Sequence, residues 1–144
     1  MIKVTYGELS NLRELPGRPG VLYRLGNTTY DSFASKWLVS RFLKIVVEAV
    51  QEYEKSLMGL GQTYGEISPQ NPDAFTVKPE NLTTFNTELK KLQAIEVELA
   101  LLPLPVKVIE QAPLTPFDLN VLEAFIDLGS MTTPRDPKSS LVPV

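Results

Sequence analysis

Few side chains in this 144-residue chain could do chemistry, because it contains neither histidine nor cysteine. Without cysteine there are no disulfides, thiolate nucleophiles or thiolate metal sites. Without histidine the usual proton shuttle near neutral pH and the commonest zinc ligand are missing. Catalysis would have to run on carboxylates, Lys, Tyr, Ser or Arg. Glu96 and Glu98 alternate with Ile95, Val97 and Leu99 and so project from one face of a strand, where paired carboxylates can bind a metal or act as acid and base. No third ligand stands within sequence reach, and a solvated face is the better reading. Glu52 and Glu54, two apart on a helix, do not face each other, and the adjacent Ser35 and Lys36 diverge too far to work as a Ser–Lys pair. Gly59-Leu60-Gly61-Gln62-Thr63-Tyr64-Gly65 imitates a dinucleotide-binding loop, but Tyr64 stands where the third glycine belongs and no strand leads into it. Helix termination explains those glycines better.

The other candidates are weaker. Asn27-Thr28-Thr29 and Asn81-Leu82-Thr83 match the glycosylation sequon, yet the first residues, Met1 to Gly7, lack the apolar segment of a secretory signal. Trp37 and Phe42 read as core rather than as a ligand platform. Arg18, in Pro16-Gly17-Arg18-Pro19-Gly20, is a lone loop cation. The expectation is a non-enzymatic protein with no catalytic, cofactor-binding or metal-binding residues, remaining in a cytoplasm or an assembled particle.

The elements that carry these residues are mostly helical. Val39, Leu43, Val46, Val50, Tyr53, Leu57, Leu60 and Tyr64 keep a four-three spacing, the mark of a long helix with one apolar seam. Asp31 or Ser32 is the expected N-cap, and the helix is expected over 31–64. Phe33, Trp37, Leu38, Phe42 and Ile45 lie off the seam, so the first third of the helix is expected to be buried on several sides. Leu82, Phe85, Leu89 and Leu92 form a second seam, predicting a helix over 80–93 packed antiparallel on the first, with Pro79 at its start. A short helix over 5–15 begins with a Thr5–Glu8 capping box. Val21–Leu25 reads as a strand or extended segment and Phe75–Val77 as a small extended piece. Residues 95–102 alternate as a strand, although Leu92, Ile95, Leu99 and Leu102 also continue a helical spacing. The Leu102-Pro103-Leu104-Pro105 run and 106–110 as a possible partner favour the strand, predicting a β-hairpin at about 95–110. Thr115-Pro116-Phe117-Asp118 opens a C-terminal helix over 116–128, with Leu119, Leu122 and Ile126 facing inward. The fold class is mainly α with a small β element (α+β): one helical domain over 1–129 and an extended C-terminal arm over 130–144.

Charge is unevenly spread. Residues 1–47 hold seven Lys/Arg and three acids, whereas residues 48–129 hold five and thirteen, within a net charge of −3. Such a dipolar chain can dock head to tail with copies of itself or on a charged partner. The basic part carries no Lys/Arg cluster and no basic residues interleaved with exposed aromatics, so direct sequence-specific contact with nucleic acid is not expected. No apolar run is long enough for a membrane span.

The order of segments carries a resemblance. Gln62-Thr63-Tyr64-Gly65 closes the long helix. Phe75-Thr76-Val77-Lys78-Pro79-Glu80-Asn81, Phe85-Asn86-Thr87-Glu88-Leu89 and Glu96-Val97-Glu98-Leu99 follow, and Leu114-Thr115-Pro116-Phe117-Asp118-Leu119 leads to Leu122-Glu123. Over about residues 30–128 this resembles a group of small proteins of tailed bacteriophages. The resemblance brings no catalytic residues. It implies a phage origin and a structural or assembly role in the virion, as a decoration, connector or tail-associated subunit, in the host cytoplasm during assembly and in the particle afterwards. The expected partners are other virion proteins or copies of the chain itself, reached through Pro134, Arg135, Pro137, Leu141, Val142 and Val144 of the arm. The alternative is a soluble phage effector that binds and inhibits a host or defence protein.

Overall fold

A computed structural model describes residues 1–13, 20–71 and 74–127. The Ser32 hydroxyl accepts the Ser35 N–H at 3.1 Å from an extended backbone, which starts α3 at Phe33 and lets it run unbroken to Tyr64. At the usual helical rise these residues make a rod of about 48 Å. The four-three stripe is its inner side: Val39, Val46, Val50 and Tyr53 are buried, and Leu43, Leu57, Leu60 and Tyr64 half-buried.

The chain opens with β1 (Ile2–Thr5), which runs straight into α1 (Tyr6–Ser10). Thr5 ends the strand and caps the helix. Its hydroxyl accepts the Glu8 N–H at 3.1 Å, and its own N–H donates to Glu8 Oε1 at 2.9 Å, which is the predicted capping box. Leu9 and Leu12 are buried as expected. Arg13 reaches Glu54 of α3 at 3.0 Å, and the Tyr6 ring lies 5.5 Å from that of Tyr53.

Residues Val21–Gly26 form helix α2, not a strand. Val21, Leu22 and Leu25 are all buried, and that spacing points to one side of a helix but to both faces of a strand.

After α3, β2 (Gly65–Ile67) and β3 (Phe75–Val77) pair antiparallel with Gly65 opposite Val77. Gly61 lies within α3, where a Cβ would collide with the Phe75 ring. At Gly65 a Cβ would collide with the carbonyl of Thr76. These glycines permit close approach. α4 (Leu82–Gln93) follows a 3-10 turn at Pro79–Asn81 and packs antiparallel on α3 as predicted. Asn81 Nδ2 donates to the Tyr64 carbonyl at 3.1 Å at one end, and Gln93 Nε2 to the Tyr53 hydroxyl at 3.2 Å at the other.

The expected hairpin over 95–110 does not form. Strand β4 (Glu96–Leu99) alternates as predicted, but its partner is β1: Ile2 faces Leu99, Lys3 faces Glu98, Val4 faces Val97 and Thr5 faces Glu96. Both strands alternate apolar-in and polar-out, and Lys3 opposite Glu98 adds a favourable cross-strand pair. Residues Val106–Ile109 instead form a turn of helix, α5, after the two-residue strand β5 (Leu104–Pro105). The neighbours Val108 and Ile109 are both buried, which a strand with one covered face does not allow.

The last predicted helix is also shorter. α6 spans Pro116–Val121, a 3-10 turn follows at Glu123–Phe125, and β6 (Ile126–Asp127) pairs parallel with β5. Its inner face is Asp118, Leu122 and Phe125, and Leu119 is exposed. The inward carboxylate of Asp118 turns the helix away from the apolar face expected at Leu119. Buried side chains from β1, α1, α2, α3, β4, α5 and the Leu122–Phe125 turn make one apolar cluster. The fold is mainly α with small β elements.

Candidate functional site

The outer side of α3 gives the most informative surface. Positions 33, 37, 41 and 44 follow one another at helical spacing on the side opposite the buried 39–42–46 line. Phe33 is 80% exposed and Trp37 56%, one turn apart, with Leu38 beside them, whereas Phe42 is 1% exposed. The expectation that Trp37 is core, and that Phe33 and Leu38 are covered with it, is therefore overturned, whereas Phe42 is core as expected and Ile45 packs against that core. Between Phe33 and Val47 the helix has Lys36, Arg41 and Lys44 and no acid. All three cations are exposed and take no ion pair among the described residues. Cations interleaved with exposed aromatics, not expected from the sequence, are thus present here.

Next to this ridge a groove of about 800 Å³ separates α3 from the Gly26–Tyr30 loop, with Leu25, Val39, Leu43 and Val47 among its lining and Lys36 and Lys44 on its α3 side. Tyr30 is buried there, and its hydroxyl donates to the Leu25 carbonyl at 2.7 Å. Burial raises the Tyr30 hydroxyl pKa above its ordinary 10.0, with a hydrogen bond involving Thr28 pulling the other way.

A second groove of about 450 Å³ lies between α5 and α6, with Val106, Ile109, Ala112, Leu114, Leu119 and Ile126 lining it and Glu110, Asn120 and Glu123 as its polar residues. Beneath α6, Asp118 is 3% exposed and bound by Arg24 of α2, with Nη2 at 2.6 Å and Nε at 3.0 Å from its two oxygens. Burial works to raise its pKa. The Arg24 hydrogen bonds and charge, with the Thr115 backbone and hydroxyl, outweigh it and hold the carboxyl below its usual 3.8. This ion pair positions α2 under α6 and is occupied structurally.

The residues singled out by sequence are dispersed. Glu96 and Glu98 stand on the exposed face of β4 opposite Thr5 and Lys3. Glu54 is taken by Arg13, and Glu52 lies 3.8 Å from Lys55. Ser35 is buried and within 3.2 Å of Ser32, whereas Lys36 is exposed. Asn27 and Asn81 donate their amides to the carbonyls of Tyr23 and Tyr64. Gly59 and Gly61 lie inside α3 rather than in a loop. Arg18 and the arm residues Pro134, Arg135, Pro137, Leu141, Val142 and Val144 lie outside the described residues.

Sequence reasoning missed the Arg24–Asp118 pair and the exposed ridge. The Thr115–Asp118 cap was visible, but nothing local announces a partner 94 residues away. The ridge did leave a signal: Phe33 and Trp37 fall opposite the four-three stripe on a helical projection. Among the described residues no three His, Cys, Asp or Glu side chains gather where a metal ion could be held. No helix of the described residues is long and apolar enough to cross a membrane. No known protein family, curated protein or solved structure matches the chain. An aromatic–cationic ridge suits an apolar surface that carries carboxylates.

Proposed function

We propose that this protein is a non-enzymatic structural or assembly component of a tailed-phage particle, acting through protein–protein contacts. The observation that carries the docking part is the exposed pair Phe33 and Trp37 on the first turns of α3, flanked by Lys36, Arg41 and Lys44. Aromatic side chains that a stable fold leaves in water are the usual anchors of protein interfaces, and Arg beside them is enriched there too. Three cations on a chain of net charge −3 are a thin footprint for the nucleic-acid backbone, which favours a protein partner. The phage assignment rests on the segment order over about residues 30–128.

The test is quantitative mass spectrometry of purified particles of the phage that encodes the chain. A stoichiometric virion component, lost when Phe33 and Trp37 are both changed to Ser, is the expected result. A chain absent from particles but abundant in infected cells would overturn the assembly role. It would favour the effector reading, in which the same ridge engages a host or defence protein.

A further inference from the structure

The ridge and the α5–α6 groove complement each other. The ridge offers Phe33 and Trp37 with three exposed cations that take no ion pair among the described residues, and the groove offers an apolar lining with Glu110 and Glu123, both exposed. We infer that the Phe33–Trp37 ridge of one copy seats in the Ile109–Leu119 groove of a second copy. This rests on the proposal that the ridge is a docking surface, and names its occupant.

Room, charge and placement support it. A groove of about 450 Å³ holds the volume of about fifteen liquid waters, enough to admit aromatic side chains and release poorly bound solvent. Lys36, Arg41 and Lys44 meet Glu110 and Glu123 with opposite sign, whereas a ridge laid on a ridge sets cation against cation. The Asp31 N–H donates to Gln111 Oε1 at 2.9 Å, holding the head of α3 beside the edge of the groove. Ridge and groove are therefore neighbours on one copy. A single two-fold pairing then brings each ridge to the other's groove, buries both patches twice and closes.

The experiment is sedimentation of the full chain from about 1 μM to about 1 mM, the range in which interfaces of modest size reveal themselves. It is joined by two charge-reversal variants: Lys36→Glu/Arg41→Glu/Lys44→Glu, and Glu110→Lys/Glu123→Lys. All five positions are exposed, and circular dichroism checks that each variant keeps its helix. The wild type is expected to dimerise, less so as salt rises, and the emission of Trp37, the single tryptophan, to move to the blue as dimer forms. Each variant alone is expected to bind itself at least tenfold more weakly. An equimolar mixture should recover a one-to-one heterodimer, because both contacts are again between opposite charges. A wild type still monomeric at the top concentration overturns the inference, as does a Glu110→Lys/Glu123→Lys variant that dimerises like wild type, or a mixture that stays monomeric. If dimerisation fails while particles still take up the chain through Phe33 and Trp37, the assembly role stands and the second copy is excluded as the occupant. If the charge-reversed pair associates but particles lack the chain, the assembly role falls and the pairing stands.

Discussion

Arg24 and Asp118 meet across 94 residues of chain, the guanidinium donating through Nη2 at 2.6 Å and Nε at 3.0 Å to the two oxygens of one carboxylate. The same carboxylate accepts the Thr115 N–H at 3.0 Å, while Thr115 Oγ1 accepts the Asp118 N–H at 3.1 Å. One buried group thus caps α6 and ties that helix to α2. Asp118→Ala removes the acceptor of the Thr115 N–H, one half of the capping box, and leaves Arg24 without this carboxylate. It is expected to cost about 3 kcal/mol in urea unfolding, combining roughly 1 for the lost Thr115 N–H bond with about 2 for the charge-assisted bonds to Arg24. Arg24→Ala strands a nearly buried carboxylate and should cost a similar amount, while the double variant should cost clearly less than the sum. Additive losses would show that the two side chains act independently.

The same pair sets an acid limit. The folded-state pKa of Asp118 is below the ordinary 3.8, so its stabilisation is fully present above that value. It drains away as the pH falls through the lower, folded value. Asp118→Asn should therefore flatten the acid limb of a stability–pH curve below about pH 4 and leave the shape near neutrality unchanged. A variant whose acid limb still matched wild type would remove this assignment.

Tyr30 acts at the other end of the scale. Its folded pKa lies above 10.0, so burial of the neutral phenol stabilises the fold below pH 10. That contribution is lost as the pH rises from the unfolded value through the higher folded one. Tyr30→Phe gives up the hydrogen bond to the Leu25 carbonyl, at a cost of about 1 kcal/mol near neutrality. It should then lose less stability than wild type as the pH rises above about 10 in an alkaline melt.

The glycines of one short segment should respond in opposite directions. A Cβ on Gly59 meets nothing within 4 Å, so Gly59→Ala should stabilise α3 by about 0.5–1 kcal/mol through helix propensity. At Gly65 a Cβ would strike the backbone carbonyl of Thr76, and Gly65→Ala should cost about 1–3 kcal/mol as the β2–β3 hairpin opens. Thermal melts of the two variants check this. Equal shifts would mean that the hairpin does not lie so close to the helix end.

Local patterns in the sequence were legible in proportion to how far they depend on neighbours in the chain. The Thr5, Ser32 and Thr115 caps and the α3 seam are set within a few residues, and each forms as read. The alternation of Glu96–Leu99 correctly gave a strand, but a strand's face pattern does not name its partner. The true one, Ile2–Thr5, lies at the other end of the chain. Val21–Leu25 and Val106–Ile109 are too short for periodicity to separate strand from helix. The ridge was misread because a large apolar residue was assumed to be covered. Its place opposite the seam leaves Phe33 and Trp37 on the side of the helix that the described residues do not cover.

That difference between neighbouring aromatics is directly measurable. Phe42 is buried with its ring edge-on to Phe125 at 5.6 Å, in the middle of the apolar cluster. Phe42→Ala removes those contacts and leaves a cavity, and should cost about 3–5 kcal/mol. Phe33→Ala and Trp37→Ala change side chains that are mostly in water already, and each should shift stability by no more than about 0.5 kcal/mol. A protein that tolerates the loss of both exposed aromatics in isolation, yet fails with its partner once they are gone, holds them for binding rather than folding. A loss of about 2 kcal/mol or more in the isolated Trp37→Ala variant would instead place Trp37 in the core, and the docking surface would have to be sought elsewhere.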